Sequence, residues 1–327
     1  MNYSFFGTCF NDHTLLYGCI DSIISQTLKP KEIILIDSGD LNQESKIRSL
    51  IDTLDIKLIY VYKNLPRVKA LNHAIKLSDS KYLIRFDTRT RFNKYYAENA
   101  INVLEESKGT KKFIGGIPRI IPEKKSFSAS LCSGIMSRSY VFLYPRHRRK
   151  NYTGFASSVY LGCFESNLLK SNLYRDKNNL ISEDSLLASD FRDLGYSPWI
   201  DKRLEIAYIC RSSLINLGKL FNTYGLCRAN TIISSKKLHS IRRYIFIILG
   251  FISYFFLFKD YILLLLIFFP ITITLINCIG EILHSRYKFN IIYPILATLC
   301  QLIWLAGFLY GCIVSIRMNR QLTNYIK

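Results

Sequence analysis

Glu32-Ile33-Ile34-Leu35-Ile36-Asp37-Ser38-Gly39-Asp40 is an unbroken apolar run that stops at an acidic, glycine-containing turn. Residues apolar on successive positions predict a strand buried on both faces, and the turn predicts departure into a helix through Leu50. Upstream, Tyr3 to Cys9 reads as a short strand. Leu15, Leu16, Cys19, Ile20, Ile23 and Ile24 then follow at helical spacing within Leu15 to Gln26, until Lys29-Pro30 ends the pattern. Downstream come a third strand, Lys57 to Tyr62, a helix from Val68 to Leu77 and a fourth strand from Tyr82 to Phe86 that terminates at Asp87. This alternation predicts an α/β fold, Rossmann-like, with a mostly parallel sheet and helices on both faces. Ligands of such sheets bind at the carboxyl ends of the strands, where Asp37 and Asp87 both fall. No GxGxxG or Walker pattern follows the first strand, so neither the dinucleotide nor the NTPase reading is supported.

The 327 residues change character once. Up to about Ser240 charged and apolar residues alternate, whereas Tyr244 to Ile316 is nearly uninterrupted Ile, Leu, Phe and Tyr. We therefore expect a soluble domain at 1–235 and a membrane domain at 236–327 with two or three transmembrane helices and a short basic tail. The runs Tyr261 to Gly280 and Ile291 to Ile316 each reach the roughly 20 residues a span needs; Tyr244 to Phe258, cut off by Lys259-Asp260, is short. Lys236, Lys237, Arg242 and Arg243 before the first run place the N-terminal domain on the cytoplasmic side, a side Arg317, Arg320 and Lys327 also prefer. Two spans satisfy both ends. The N-terminus lacks a secretory signal pattern, and nine scattered cysteines without a CxxC pair argue against a zinc site and for reduced thiols. The expected location is a bacterial-type inner, cytoplasmic membrane, multi-pass, with the catalytic domain cytoplasmic. A formal charge of +20 favours anionic partners: nucleic acid, acidic lipid or a pyrophosphate-bearing metabolite. No nucleic-acid recognition motif is present, so nucleic acid is not an expected partner; the membrane segments favour the other two. Arg146-His147-Arg148-Arg149-Lys150 reads either as a grip for lipid phosphate or as a solvated basic loop.

The opening Thr8-Cys9-Phe10-Asn11, the Asp21 to Thr27 segment, the Pro30 to Asp40 strand and turn, and Ala70-Leu71-Asn72-His73-Ala74-Ile75 before Asp87-Thr88-Arg89 resemble family 2 glycosyltransferases. Within that family, Arg85-Phe86-Asp87-Thr88-Arg89-Thr90, Gly115-Gly116, Glu183-Asp184 with Gly195-Tyr196, and Tyr224 to Ala229 are similar to succinoglycan-type exopolysaccharide glycosyltransferases, which carry a membrane segment after the same landmarks. The resemblance covers residues 1 to 230. It implies a GT-A fold followed by C-terminal transmembrane helices. It also implies an inverting, hexosyltransferase-type enzyme that moves a sugar from a nucleotide-sugar donor, UDP-sugar favoured, to a polyprenyl-linked saccharide acceptor in surface polysaccharide synthesis. The alternatives are transfer to a bare polyprenyl phosphate, or a catalytically impaired membrane-bound scaffold.

The resemblance also assigns residues. Cys9, Asn11, Asp37, Asn72, Asp87, Arg89 and Arg228 are expected at the donor, with Asp37 at the nucleoside and Arg228 at a diphosphate. Asp87 is the expected ligand of an Mg²⁺ or Mn²⁺ cofactor that offsets charge on the leaving diphosphate. The family's third motif position is an Asp or His; here it is Arg89, which cannot ligate a cation but can pair with the diphosphate directly. Inversion needs a base to take the acceptor proton. Glu183-Asp184 precedes Leu186, Leu187, Phe191 and Leu194 at helical spacing, so both acids stand in a first helical turn. Asp184 is the expected base and Glu183 its support.

Overall fold

The computed structural model describes residues 2–51, 55–149, 151–175, 182–235, 245–257, 261–285 and 289–325. They form two compact units, one drawn from 1–121, 146–179 and 183–209, the other from 122–145, 180–182 and 210–327.

The first unit is built on a nine-stranded sheet. Strands β1 (Tyr3–Cys9), β2 (Glu32–Asp37), β3 (Lys57–Tyr62) and β4 (Tyr82–Asp87) are joined by helices α1 (His13–Ile24), α2 (Glu44–Ile51) and α3 (Arg67–Leu77), each close to its predicted extent. These four strands are parallel in the order β3-β2-β1-β4. Beyond them the chain adds β5 (Thr90–Phe92), α4 (Tyr96–Glu106), β6 (Phe113–Pro122), α5 (Phe127–Ser137), β7 (Gly154–Phe155), β8 (Tyr160–Glu165), α6 (Ser166–Ser171), α7 (Glu183–Asp193) and β9 (Trp199–Cys210). The sheet continues past β4 as β8-β6-β9-β5 with β4–β8, β6–β8 and β5–β9 antiparallel, so it is mixed as a whole.

Period-two alternation explains the two cores. Phe5, Ile33 and Ile84 point to the face covered by α1, α2 and α4, through Leu16, Ile20, Ile47 and Ile101. Phe6, Ile34 and Leu83 point to the other face, covered by α3, α6 and α7. Each such fully buried Ile, Leu or Phe contributes about 1.5–3 kcal/mol. With both faces of β1 and β2 buried, a ligand can meet these strands only at their ends, and sheets of this kind bind at the carboxyl one.

The second unit holds α5, α8 (Leu214–Ser235), α9 (Ile245–Leu257), α10 (Ile262–Ser285) and α11 (Ile292–Tyr325). Among the described residues two helices are long and apolar enough to cross a membrane, over Ile267–His284 and Ile292–Ser315. The 13 residues of α9 reach only about 20 Å at 1.5 Å per residue. The basic residues 236–244 lie outside the described residues, as do Lys259-Asp260 and the side chains of Arg317, Arg320 and Lys327.

Residues 214–235 fall before the expected boundary at 235, yet α8 packs with the apolar helices. Glycine makes that packing possible. A Cβ on Gly225 would lie 2.0 Å from the Trp304 carbonyl oxygen, and one on Gly307 would lie 2.3 Å from that of Asn222. A Cβ on Gly311 would meet the Ala229 Cβ at 2.8 Å. Gly307 and Gly311 thus form a GxxxG face that lets two backbones touch. Between α10 and α11 runs a polar ladder: Thr274 meets Thr298 at 2.9 Å, and Asn277 donates to Thr298 at 3.1 Å and to Gln301 at 2.9 Å. At its end Glu281, fully buried, accepts from Arg138 Nε at 2.6 Å, Arg138 Nη2 at 2.8 Å and the Tyr140 hydroxyl at 3.0 Å.

Replacing Gly225 or Gly307 by Val should force α8 from α11 and cost about 1–3 kcal/mol or more. Gly218→Ala, whose added methyl meets only Ile303 Cδ1 at 3.4 Å, should be neutral or stabilising. Denaturation of the detergent-solubilised protein, followed by helical circular dichroism, checks both; equal midpoints for Gly218→Ala and Gly307→Val would contradict the packing argument.

Candidate active site

Register alone brings three candidate residues to one edge. Cys9 at the end of β1 pairs with Asp37 at the end of β2, and Thr8 pairs with Asp87 at the end of β4. Asp37 is fully buried; one carboxylate oxygen accepts from the Gly39 N–H at 3.0 Å, the other from the Tyr60 hydroxyl at 2.6 Å. The first residues of α1 close over the same edge, with His13 Nε2 3.5 Å from Asp37 Oδ2. Asn11, at φ 56°, sits in the left-handed region that Asn tolerates, and its amide bonds Asp40 twice, accepting from the backbone N–H at 2.9 Å and donating to the carboxylate at 2.8 Å. Loops after β1 and β2 are thereby fastened together.

Asp87 heads a chain of alternating charges. Arg67, the first residue of α3, donates from Nη2 to Asp87 at 3.3 Å and from Nε to Glu183 at 3.1 Å. Arg85 stands two residues before Asp87 on β4 and is 1% exposed. Its Nη2 donates to Glu183 at 3.2 Å, and its Nη1 donates to the Tyr174 hydroxyl at 3.0 Å and to Asp184. Tyr174 is itself held by Asn72, whose amide donates to the Tyr174 carbonyl at 2.8 Å and accepts from its N–H at 3.0 Å. Glu183 and Asp184 begin α7, where two acids also suit the helix dipole.

The environment divides these carboxylates. Burial pushes Asp87 up, but Arg67, the Arg89 N–H and Arg85 together outweigh it and hold the group below its ordinary value. Glu183 is likewise lowered, burial being offset by Arg67 and then Arg85. Asp184 is raised: burial leads, Arg85 opposes it, and the charge of Glu183 adds to the rise.

The structure therefore gathers Cys9, Asn11, Asp37, Asp87, Glu183 and Asp184 in the first unit. Asn72 is there too, engaged with the backbone of Tyr174. Arg89 donates its backbone N–H to Asp87 Oδ1 at 3.3 Å, while its guanidinium lies 3.4 Å from Asp12. Arg228 lies on α8 in the second unit, half-buried. In the basic cluster, Arg146 donates to the Phe155 carbonyl at 3.0 Å; Lys150 lies outside the described residues. Sequence reasoning missed the roles of Arg67, Arg85, Tyr174 and His13. Only Arg85 left a signal, a cation within a buried strand, which demands a countercharge.

A parallel-strand edge that carries Asp37 and Asp87, with a second acid pair anchored to the strand of Asp87, accords with a fold of the GT-A class. The sequence model of Glycosyl transferase family 2 matches residues 4–167, half of the chain, which belongs to that family. It is 24% identical over 319 residues to a Methanococcus voltae protein, dolichyl N-acetyl-alpha-D-glucosaminyl phosphate 3-beta-D-2,3-diacetamido-2,3-dideoxy-beta-D-glucuronosyltransferase, covering 93% of this chain and 95% of that one. Among solved structures, the mannosyltransferase PcManGT from Pyrobaculum calidifontis, in complex with GDP-Man and Mn²⁺, shares the fold at TM-score 0.57. Its identity is 12%, covering 94% of this chain and 87% of that one. S. aureus TarS 1–349 in complex with UDP-GlcNAc aligns at TM-score 0.47 and 14% identity, over 69% of this chain and 65% of that one. The chain spans 39% of the longer TarS structure.

The lowered carboxylates give a pH test. A group with a depressed folded-state pKa stabilises above its unfolded pKa, and that contribution is lost as pH falls through the folded value. Arg67→Ala removes the leading opposing charge from both Asp87 and Glu183, so their folded values should rise and acid destabilisation should begin at higher pH than in the wild type. Denaturant midpoints measured from neutral pH down through the carboxylate range check this; coincident profiles would show that Arg67 does not hold these groups.

Proposed function

We propose that the chain is an inverting glycosyltransferase that moves a sugar from a nucleotide-sugar donor, a UDP-sugar by preference, to a lipid-linked saccharide at a membrane. One observation carries this reading: buried Arg85 ties Glu183 and Asp184 to the strand that ends in Asp87, so a candidate base and a candidate diphosphate site belong to one rigid piece. Asp184, 41% exposed on its side chain and raised in pKa, is suited to accept the acceptor hydroxyl's proton as the new bond forms on the face opposite the leaving group. Glu183, kept ionised by two arginines, stabilises the cationic partners instead. Asp37 faces the nucleoside, and Asn72 acts through Tyr174.

Asp87 offers a hard carboxylate oxygen, which fits an Mg²⁺ or Mn²⁺ ion; such an ion would compete with half-exposed Arg67 for it. When bound, the ion would neutralise charge on the leaving diphosphate. Arg89, held to Asp87 by its backbone N–H, offers the diphosphate the guanidinium that meets Asp12. The name of the Methanococcus relative describes a saccharide on dolichyl phosphate, which supports a lipid-linked saccharide over a bare lipid phosphate as acceptor. The two candidate spans support attachment to the membrane that holds such an acceptor, with Arg228 at a diphosphate, and the membrane part is read to include α8, since the second unit takes over the chain from residue 210.

Asp184→Asn should keep donor affinity and lower turnover on the order of 10² to 10⁴-fold. Transfer of radiolabelled sugar to lipid-linked saccharide in membranes measures it; full turnover in the variant rules out Asp184 as base.

Arg89→Ala should weaken donor binding by the roughly 1.5–3 kcal/mol of a charge-assisted phosphate contact, with added Mn²⁺ restoring only part. Donor titrations with metal and with chelator decide it: unchanged affinity under both conditions refutes direct contact.

A further inference from the structure

Cys9, His13 and Asp37 present a sulfur, an imidazole nitrogen and a carboxylate oxygen that all lie within 4.8 Å of one another; no other His, Cys, Asp and Glu side chains among the described residues form such a group. His13 Nε2 is buried and has no hydrogen-bond partner, although Asp37 Oδ2 is 3.5 Å away. That separation is too long for a good hydrogen bond. It matches the edge of a tetrahedron around zinc, about 3.3–3.8 Å from zinc–nitrogen, zinc–oxygen and zinc–sulfur bond lengths. Against the expectation drawn from cysteine spacing, we infer that Cys9, His13 and Asp37 form a three-ligand site for a thiophilic divalent cation such as Zn²⁺, and that this cation and the donor nucleoside exclude each other.

The ligands are oriented as metal ligands usually are. Asp37 is fixed by the Gly39 N–H and the Tyr60 hydroxyl, which serve as outer-shell donors. His13 is the first residue of α1, and Cys9 the last of β1, so both positions are set by rigid elements. The widest separation within the set needs to contract by about 1 Å, a small side-chain rotation. The carboxylates of Asp37, Asp12 and Asp87 all act on the Cys9 sulfur, a negative setting that a bound cation relieves. Binding replaces the S–H bond with a metal–sulfur bond, and the thiol proton leaves to water. Three protein ligands leave a fourth position open. Exclusion of the nucleoside rests on the proposal that Asp37 serves the donor; the cation site itself does not. It is chemically distinct from the hard-cation position at Asp87, which lacks soft ligands.

The test titrates the full-length, detergent-solubilised protein with Co²⁺ alone and follows thiolate-to-cobalt charge-transfer absorption. The expected result is a one-site band in the wild type and in Asp87→Ala, bleached by Zn²⁺ and, competitively, by UDP. Cys9→Ser should lose the band, and His13→Ala should weaken Co²⁺ binding on the order of 10²-fold, at or beyond what outer-shell changes cost. Absence of the band, or its survival in Cys9→Ser, overturns the site, and assigns the orphan nitrogen of His13 to another partner. A band indifferent to saturating UDP overturns the exclusion. Loss of Mn²⁺-dependent donor binding in Asp87→Ala, measured separately, reports on the proposed function and not on this site.

Discussion

A guanidinium without access to water must find negative charge, and Arg85 is such a group: 1% exposed, on a strand whose other inward residues are apolar. The chain meets that demand with two consecutive acids more than ninety residues later, together with the hydroxyl of Tyr174. Much of the candidate active site follows from this one requirement. The start of α7 cannot drift, because moving it would strand a buried cation, and the Tyr174 segment is held from its other side by Asn72. Buried ion pairs of this kind add little net stability, since desolvation takes back most of the attraction. What Arg85 supplies is position: it fixes the geometry of the acid pair against the strand that presents Asp87.

The parallel half of the sheet was legible in the sequence because its signal is local. Runs such as Glu32–Ile36 and the helical spacing of Leu15–Ile24 register burial on one or both faces within a dozen residues. The strand ends at Asp37 and Asp87 were legible for the same reason, and the acids at 183 and 184 because an apolar helical pattern follows them. The antiparallel extension β8-β6-β9-β5 was not, since it pairs segments far apart in the chain and one of its pairings, β6 with β8, is broken by a register shift. Nor could the sequence reveal Arg67, an ordinary solvent-type residue that becomes a bridge only when α3 meets α7. The grouping of α8 with the apolar helices was hidden too, because glycine contacts are invisible to hydropathy.

The charges in the cleft also say something about its free state. Three carboxylates, Asp87, Glu183 and Asp184, face two guanidinium groups, Arg67 and Arg85. The cluster is therefore short of one positive charge before any ligand arrives, despite the chain's overall excess of lysine and arginine. A basic protein thus keeps a locally acidic cleft, and the arginine at its mouth is the half-exposed, exchangeable member.

The ladder from Thr274 to Glu281 fixes α10 in rotation as well as in height. Each residue of a helix turns its successor by about 100°. One residue inserted between Asn277 and Glu281 would swing the glutamate away from Arg138 while leaving the threonine and asparagine contacts in phase. The number of residues between Asn277 and Glu281 is therefore fixed by contacts on both sides. Drift in α10 can change which apolar residue fills a position but cannot change how many positions there are.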